Sequence, residues 1–420
     1  MKIMKKVLAG MLTAAMLCTM AVPAFAGDES ISLTLWGAEE DQALLKELVE
    51  KFEEQYADFS FDIRIGVESE STAKDTVLTD IEAAADVFAF ASDQIFDLQK
   101  AGALATLSEY GAVLENLAGK TLDDVKAANA AGAVSAATVD GELMAFPMSA
   151  DNSFFLYYDK SLISDEEAAS WDTLLDAAEK AGKKVGYTLA SGWYNSAFFY
   201  GAGLTTGLNA DGTTAIDWNT VSPDGISGVD VTKAMLKIAA HPAFQAVADG
   251  DLSNQIASGK LCAVASGTWD ASAVQKAFGD GYAASKLPAF TAGDKAVEMA
   301  PPFGYKFVGV NAYAENIGWA ILLADFLTNE ESQVARFLQR QIGPSNLNAA
   351  AIDEVQENIA LAAVVEEGNY GIVQMVGGKF WDPTATFGEK IAQGTIPADD
   401  DAAIQAALDS LVEGVTAPIE

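Results

Sequence analysis

Two α/β lobes, each a mainly parallel sheet flanked by helices and joined by a multi-crossing hinge, are the fold this sequence predicts. Three observations carry it. Strand and helix patterns alternate from residue 31 to residue 102, the arrangement that builds a helix-covered parallel sheet. The chain has 420 residues, more than one hydrophobic core holds. The stretch Asp140–Ser161 (DGELMAFPMSADNSFFLYYDKS) places a polar break, Ser149–Ser153, between two apolar runs, as when a chain leaves one core for another.

The first 26 residues stand apart. Lys2, Lys5 and Lys6 precede an apolar run, Val7–Val22, and a small-x-small site, Ala24–Ala26: the pattern of a cleavable export signal, too short to span a membrane. Leu17 before Cys18 is not the small residue a lipidation site requires. Ile31–Trp36 alternates as a strand. Leu44, Leu45, Leu48, Val49 and Phe52 line one face of a helix over residues 39–56. Phe59, Phe61, Ile63 and Ile65 alternate as a second strand, a helix is expected over 72–83, and Asp86–Phe90 reads as a third strand. Ligands of such sheets sit past the carboxyl ends of the strands, which puts Trp36 to Glu40 and Phe90 to Gln94 at one rim.

Asp140–Gly141 is a hairpin turn, and Phe154–Tyr158 a buried strand. Further on, strands at 185–189 and 260–266 deliver Ser191–Asn195 (SGWYN) and Gly267–Trp269 (GTW). Residues 303–313 read as a second crossing. The spacing also predicts a helix around 371–380, broken by Trp381–Pro383, and a last amphipathic helix over 399–412.

Net charge is -35, and losing the three leader lysines takes it to -38. Such a surface repels nucleic acid and is explained by solubility. Cleavage after Ala26 leaves only Cys262, so no internal disulfide forms. One histidine, His241, with no G-x-S-x-G and no histidine-based metal motif, argues against a triad or a metal enzyme. Neither cofactor nor metal is expected; residues 209–217 lack the acid order of a calcium loop.

Several segments, in order, resemble the extracellular solute-binding proteins of ABC importers, of the maltose/maltodextrin-binding type. They are Val49–Glu53 (VEKFE), Ala85–Phe90 (ADVFAF) with Gln99–Leu104 (QKAGAL), Gly141–Pro147 (GELMAFP) with Tyr158–Lys160 (YDK), Trp171–Leu175 (WDTLL), Gly267–Trp269 and Leu287–Pro288. The resemblance implies a periplasmic-binding-protein-like fold with three crossings and a sugar held between the lobes. The lobes would comprise residues 27–149 with 307–345, and 150–306 with 346–420. Carried over by position, Glu39 and Glu40 follow strand one. Phe90, Asp93 and Gln94 stand where the family has Trp, Asp and Arg. Asp151, or Asn152 beside it, stands near a hinge glutamate, and Trp193, Trp269 and Trp381 take stacking positions. Two basic donors of the family are missing, at Glu40 and Gln94.

These residue types suit a sugar. An indole accepts the C–H face of a pyranose, and carboxylates bond its hydroxyl edge. The expected ligand contacts are therefore Trp36, Glu39, Glu40, Phe90, Asp93, Gln94, Asp151, Asn152, Trp193, Tyr194, Trp269 and Trp381. The expected partners are an oligosaccharide and the permease subunits of a membrane transporter, with the protein monomeric and outside the cytoplasm. Two other readings share the equipment: a secreted glycoside hydrolase, which also sets carboxylates among aromatics, and a binder of a non-sugar ligand such as a polyamine, an iron complex or a peptide.

Overall fold

The computed structural model describes residues 30–418 apart from 210, 211, 249 and 374; the expected export signal lies outside them. In chain order the main strands are β1 Ile31–Gly37, β2 Phe61–Val67, β3 Val87–Ala91, β4 Phe146–Asn152, β5 Phe155–Asp159, β6 Lys184–Tyr187, β7 Phe244–Ala246, β8 Leu261–Ser266, β9 Tyr282–Ser285, β10 Pro302–Val310 and β11 Ile372–Val373. They form two separate sheets. One runs β11-β10-β3-β1-β2 with β4 also paired to β10; the other runs β7-β6-β8-β5-β9.

Each sheet has its own core. Leu33 and Leu35 of β1 pack with Leu44, Leu48 and Phe52 of the helix Gln42–Gln55, and with Phe88, Phe90, Phe146 and Phe307. In the second sheet the run Phe154–Tyr158 is buried throughout because both faces are covered. Phe154, Leu156 and Tyr158 join Trp171, Tyr187, Phe198 and Trp218 on one side. Phe155 and Tyr157 join Val264, Val274 and Val364 on the other. Trp218 lies flat on Phe199, ring centroids 4.2 Å apart, and Trp319 packs edge-on against Tyr56, Phe59 and Phe61.

Both sheets are mixed. β1, β2 and β3 are parallel, as are β6, β7 and β8. β10 runs antiparallel to β3 and β4, and β5 antiparallel to β8. The reason is the crossing: β5 and β10 enter their sheets from the rim where the parallel strands end, so they must run against them.

Three local expectations change. The helix expected over 72–83 ends at Thr79, and the Asp80 carboxylate takes up the Ala83 N–H instead. Among the described residues of 371–380 there is no α-helix. The β-branched pair Ile372–Val373 adds to the edge of β10 at Pro302–Phe303, and a short 3-10 turn follows over Gly378–Phe380. Trp381–Pro383 begins the helix Trp381–Ala392 rather than breaking one, because Pro383 falls in the first turn, where its missing N–H has no helical partner to lose. The Asp140–Gly141 hairpin turn is present, with φ of 53° and 87° at its two central residues.

Candidate functional site

Strand direction places the site. β1 and β3 end at Gly37 and Ala91. Lys306, early in β10, is in register with both Ala91 and Ser149, so β4 ends and β10 begins at that same rim. In the second sheet β8 ends at Ser266 opposite Phe155, the first residue of β5. The rims of the two sheets therefore meet where the chain passes from Asn152 to Phe155 and into β10 at Pro302. A third passage joins them: Gly343 accepts the Ala150 N–H, and Pro344 bridges to Ser149.

Asp151 fastens this junction. It is 3% exposed, and its Oδ2 accepts both the Thr268 hydroxyl of the second sheet's rim and the Gly343 N–H of the third passage. Burial lifts its carboxyl above the usual range, opposed by Thr268, Gly343 and Lys306. Asn152, also buried, pairs with Gly304.

The three indoles lie on the second sheet's side. Trp193 and Trp381 are half-buried at the first turns of the helices Gly192–Gly201 and Trp381–Ala392. Those turns touch, since a Cβ at Gly192 would sit 2.9 Å from Phe380 and 2.2 Å from Thr384. Phe154, just past the first passage, lies 6.3 Å from the Trp193 ring. Trp269, also half-buried, follows β8 and folds back over Gly267, where a Cβ would fall 2.1 Å from its six-membered ring. Its face is approached by the Lys306 ammonium, 5.5 Å from the ring centroid.

Lys306 is the residue sequence reading missed. Its side chain is 13% exposed, and its ion pair is a 3.6 Å approach to Glu70, itself 10% exposed, in the turn after β2. It acts electrostatically on Asp41 and Asp151 as well. Between Pro301 and Ala314 it is the one charged residue, inside an otherwise apolar strand, and that was the available signal. It places a cation between Glu70 and the Trp269 face, on the rim where the sequence offers no basic residue at Glu40 or Gln94.

Three expected contacts, Phe90, Gln94 and Tyr194, are buried in the fold, and a fourth, Trp36, faces a different groove. Phe90 is fully buried and packs edge-on against Phe307, because β3 is covered on both faces. Gln94 is buried, its amide bonded to the Glu70 and Ser71 carbonyls and to the Lys74 N–H. Tyr194 is buried with its ring 4.6 Å from Phe154. Trp36 points across Gly66 to the helix Ala73–Thr79 and lines an open surface groove of about 410 Å³ with Thr76, Thr79 and Asp80, away from the three indoles. Glu39 and Glu40 are exposed in the turn after β1. Asp93 is half-buried beside Ser92, and burial pushes its carboxyl up to about 6.

Among the described residues one cluster, Asp176, Glu179 and His241, has metal-ligand spacing. It does not fit an ion. His241 Nδ1 accepts the Ala243 N–H, so the ring proton of neutral His241 sits on Nε2, the nitrogen facing the two carboxylates. His241 is a structural link.

A family model described as bacterial extracellular solute-binding protein matches residues 47–363. The chain belongs to that family. A solved structure described as "with acarbose" is similar at 27% identity and TM-score 0.79, covering 92% of this chain and 99% of that one. The maltodextrin-binding protein MalE1 from L. casei BL23, solved without ligand, is similar at 23% identity and TM-score 0.71, covering 93% and 100%. The Thermus thermophilus maltotriose-binding protein, solved with maltotriose, is similar at 20% identity and TM-score 0.74, covering 91% and 99%. No curated protein matches by sequence. The fold is thus the two-lobe fold of solute-binding proteins. No helix among the described residues is long and apolar enough to cross a membrane.

Proposed function

We propose that this solute-binding protein captures a malto-oligosaccharide between its lobes, closes about the three chain passages, and delivers the sugar to an ABC permease. The observation that carries the reading is the meeting of two unlike rims. One brings three half-buried indoles, Trp193, Trp269 and Trp381; the other brings Glu39, Glu40, Asp93 and the Lys306–Glu70 pair. Indoles suit the C–H faces of pyranoses and the polar rim suits their hydroxyls. The similarity to structures solved with acarbose and maltotriose supports the same class.

The lobes are read as residues 27–149 with 307–345, and 150–306 with 346–420. Strands β4 and β10 run across two of these limits, so two hinges are continuous strand. The reading is of a binder rather than an enzyme: Asp41 is held by two arginines and Asp151 by Thr268 and Gly343, so neither of these two carboxylates is free to act as acid or nucleophile.

Calorimetry with maltotriose and maltoheptaose tests this. The mature protein is expected to bind at least one, and Trp269→Ala to weaken binding by about 1–3 kcal/mol, as for truncation of a buried aromatic contact, without unfolding. Small-angle scattering should show compaction on saturation, since a ligand touching both lobes favours the closed state. Absence of binding, or shortening of maltoheptaose during incubation, defeats the reading.

A further inference from the structure

We infer that Lys306 sets the ligand class of the cleft: it donates to the oxygens of a neutral, hydroxyl-rich ligand lying against Trp269, and it excludes cationic ligands. The inference deepens the reading above and rests on it for the sugar, but not for the exclusion of cations.

Three observations carry it. Lys306 rises from the strand that forms the floor of the junction, and its neighbours come from every side. Glu70 is in the first sheet's rim, Trp269 in the second's, and the Asp41 and Asp151 carboxylates lie within electrostatic reach. Among the described residues its ammonium makes no hydrogen bond; Glu70 stands at 3.6 Å and the indole centroid at 5.5 Å. An ammonium has three N–H donors, and with no protein acceptor at hydrogen-bond distance on a side chain 13% exposed they are open to a ligand's oxygens. A ligand on Trp269 would present hydroxyl oxygens to these donors, while Glu70 accepts a hydroxyl proton in return.

The same charge works against the alternative ligand. Without Lys306, the Glu70 carboxylate would stand beside an indole face with no cation between them, equipment that holds an alkylammonium. With Lys306 in place, a second cation on Trp269 meets a like charge 5.5 Å from the ring centroid, the kind of repulsion that separates ligand classes.

Calorimetry with maltotriose and with spermidine, at about 0.15 M salt to screen the acidic surface, tests the assignment on the wild type, Lys306→Met and Lys306→Met/Glu70→Gln. Lys306→Met keeps length and apolar bulk. It is expected to bind maltotriose at least tenfold more weakly and to acquire saturable spermidine binding, which the added Glu70→Gln removes. Maltotriose binding within threefold of wild type overturns the donor role while leaving the sugar reading intact. Wild-type spermidine binding overturns the exclusion of cations, whether or not maltotriose binds. If the wild type binds neither ligand, maltoheptaose decides the sugar reading, and a gain of spermidine binding by Lys306→Met still supports the exclusion; no gain overturns it. Should Lys306→Met fail to fold, Lys306→Arg carries the test. Retained exclusion of spermidine then supports the charge argument, and spermidine binding overturns it.

Discussion

Asp41→Ala is expected to destabilise the protein by about 3–5 kcal/mol, the range for stranding one partner of a buried ion pair. Arg336 is 2% exposed, and its Nη1 is bonded to Asp41 Oδ2. Arg340 Nε reaches Oδ1 at 2.9 Å. Burial pushes the Asp41 carboxyl up, but Arg336, Arg340 and Lys306 together outweigh it and hold it below its ordinary value. Arg336 Nε already lacks a partner, so without Asp41 the guanidinium keeps its burial and loses its counter-charge. The pair ties the turn after β1 to the helix Glu330–Arg340, which leads directly into Gly343 and the third passage. Urea unfolding checks the magnitude. The double substitution Asp41→Leu with Arg336→Met should cost markedly less than Asp41→Ala, because the fully buried Arg336 charge goes with it and only Arg340, 16% exposed, loses its partner. A loss below about 1 kcal/mol for Asp41→Ala would mean that water reaches the arginine and that the pair is not what anchors this helix.

The contrast between Asp41 and Asp151 on one side and the indoles on the other shows what a sequence can reveal. The two-core fold was readable because a run such as Phe154–Tyr158 has no polar face, so it must be covered on both sides, and because strands and helices alternate with clean periods. The indoles were readable by position: Trp193 and Trp269 each follow a strand by a few residues, and parallel strands deliver such residues to a common rim. The partners of the polar groups were not readable. Gln94 has the chemistry of a sugar ligand, yet its amide is consumed by carbonyls at residues 70 and 71. Asp151 is consumed by groups at residues 268 and 343. Which hydrogen bonds a side chain has left to offer depends on contacts more than a hundred residues away in the second case. Lys306 went unread for the complementary reason: in sequence it interrupts an apolar strand, and only the folded rims place Glu70 and Trp269 around it.

A second large effect concerns pH. Glu367, the last residue of the helix Ile359–Glu367, is 1% exposed. Its Oε2 accepts the Leu287 N–H at 3.0 Å and its Oε1 has no partner. Burial is the main cause pushing its carboxyl up to about 8, opposed by the Leu287 N–H and Lys286 and reinforced by Glu366 and Glu298. Below about pH 4.5 the folded and unfolded chains both carry the proton, and the group is neutral in each. Between about 4.5 and 8 the unfolded chain has released it while the folded chain keeps it, so stability falls as pH rises, by about 1.4 kcal/mol per unit. Above 8 the loss levels off. Glu367→Gln keeps an acceptor for Leu287 and cannot ionise. Its stability relative to wild type should therefore rise from pH 5 to pH 8 by roughly 3 kcal/mol, read as the difference between two urea-unfolding series. Taking the difference cancels groups common to both proteins, including Asp93, whose carboxyl also titrates near 6. Two series that stay parallel across that window would show that the buried carboxyl ionises at its ordinary value, with solvent reaching Oε1 past Leu287.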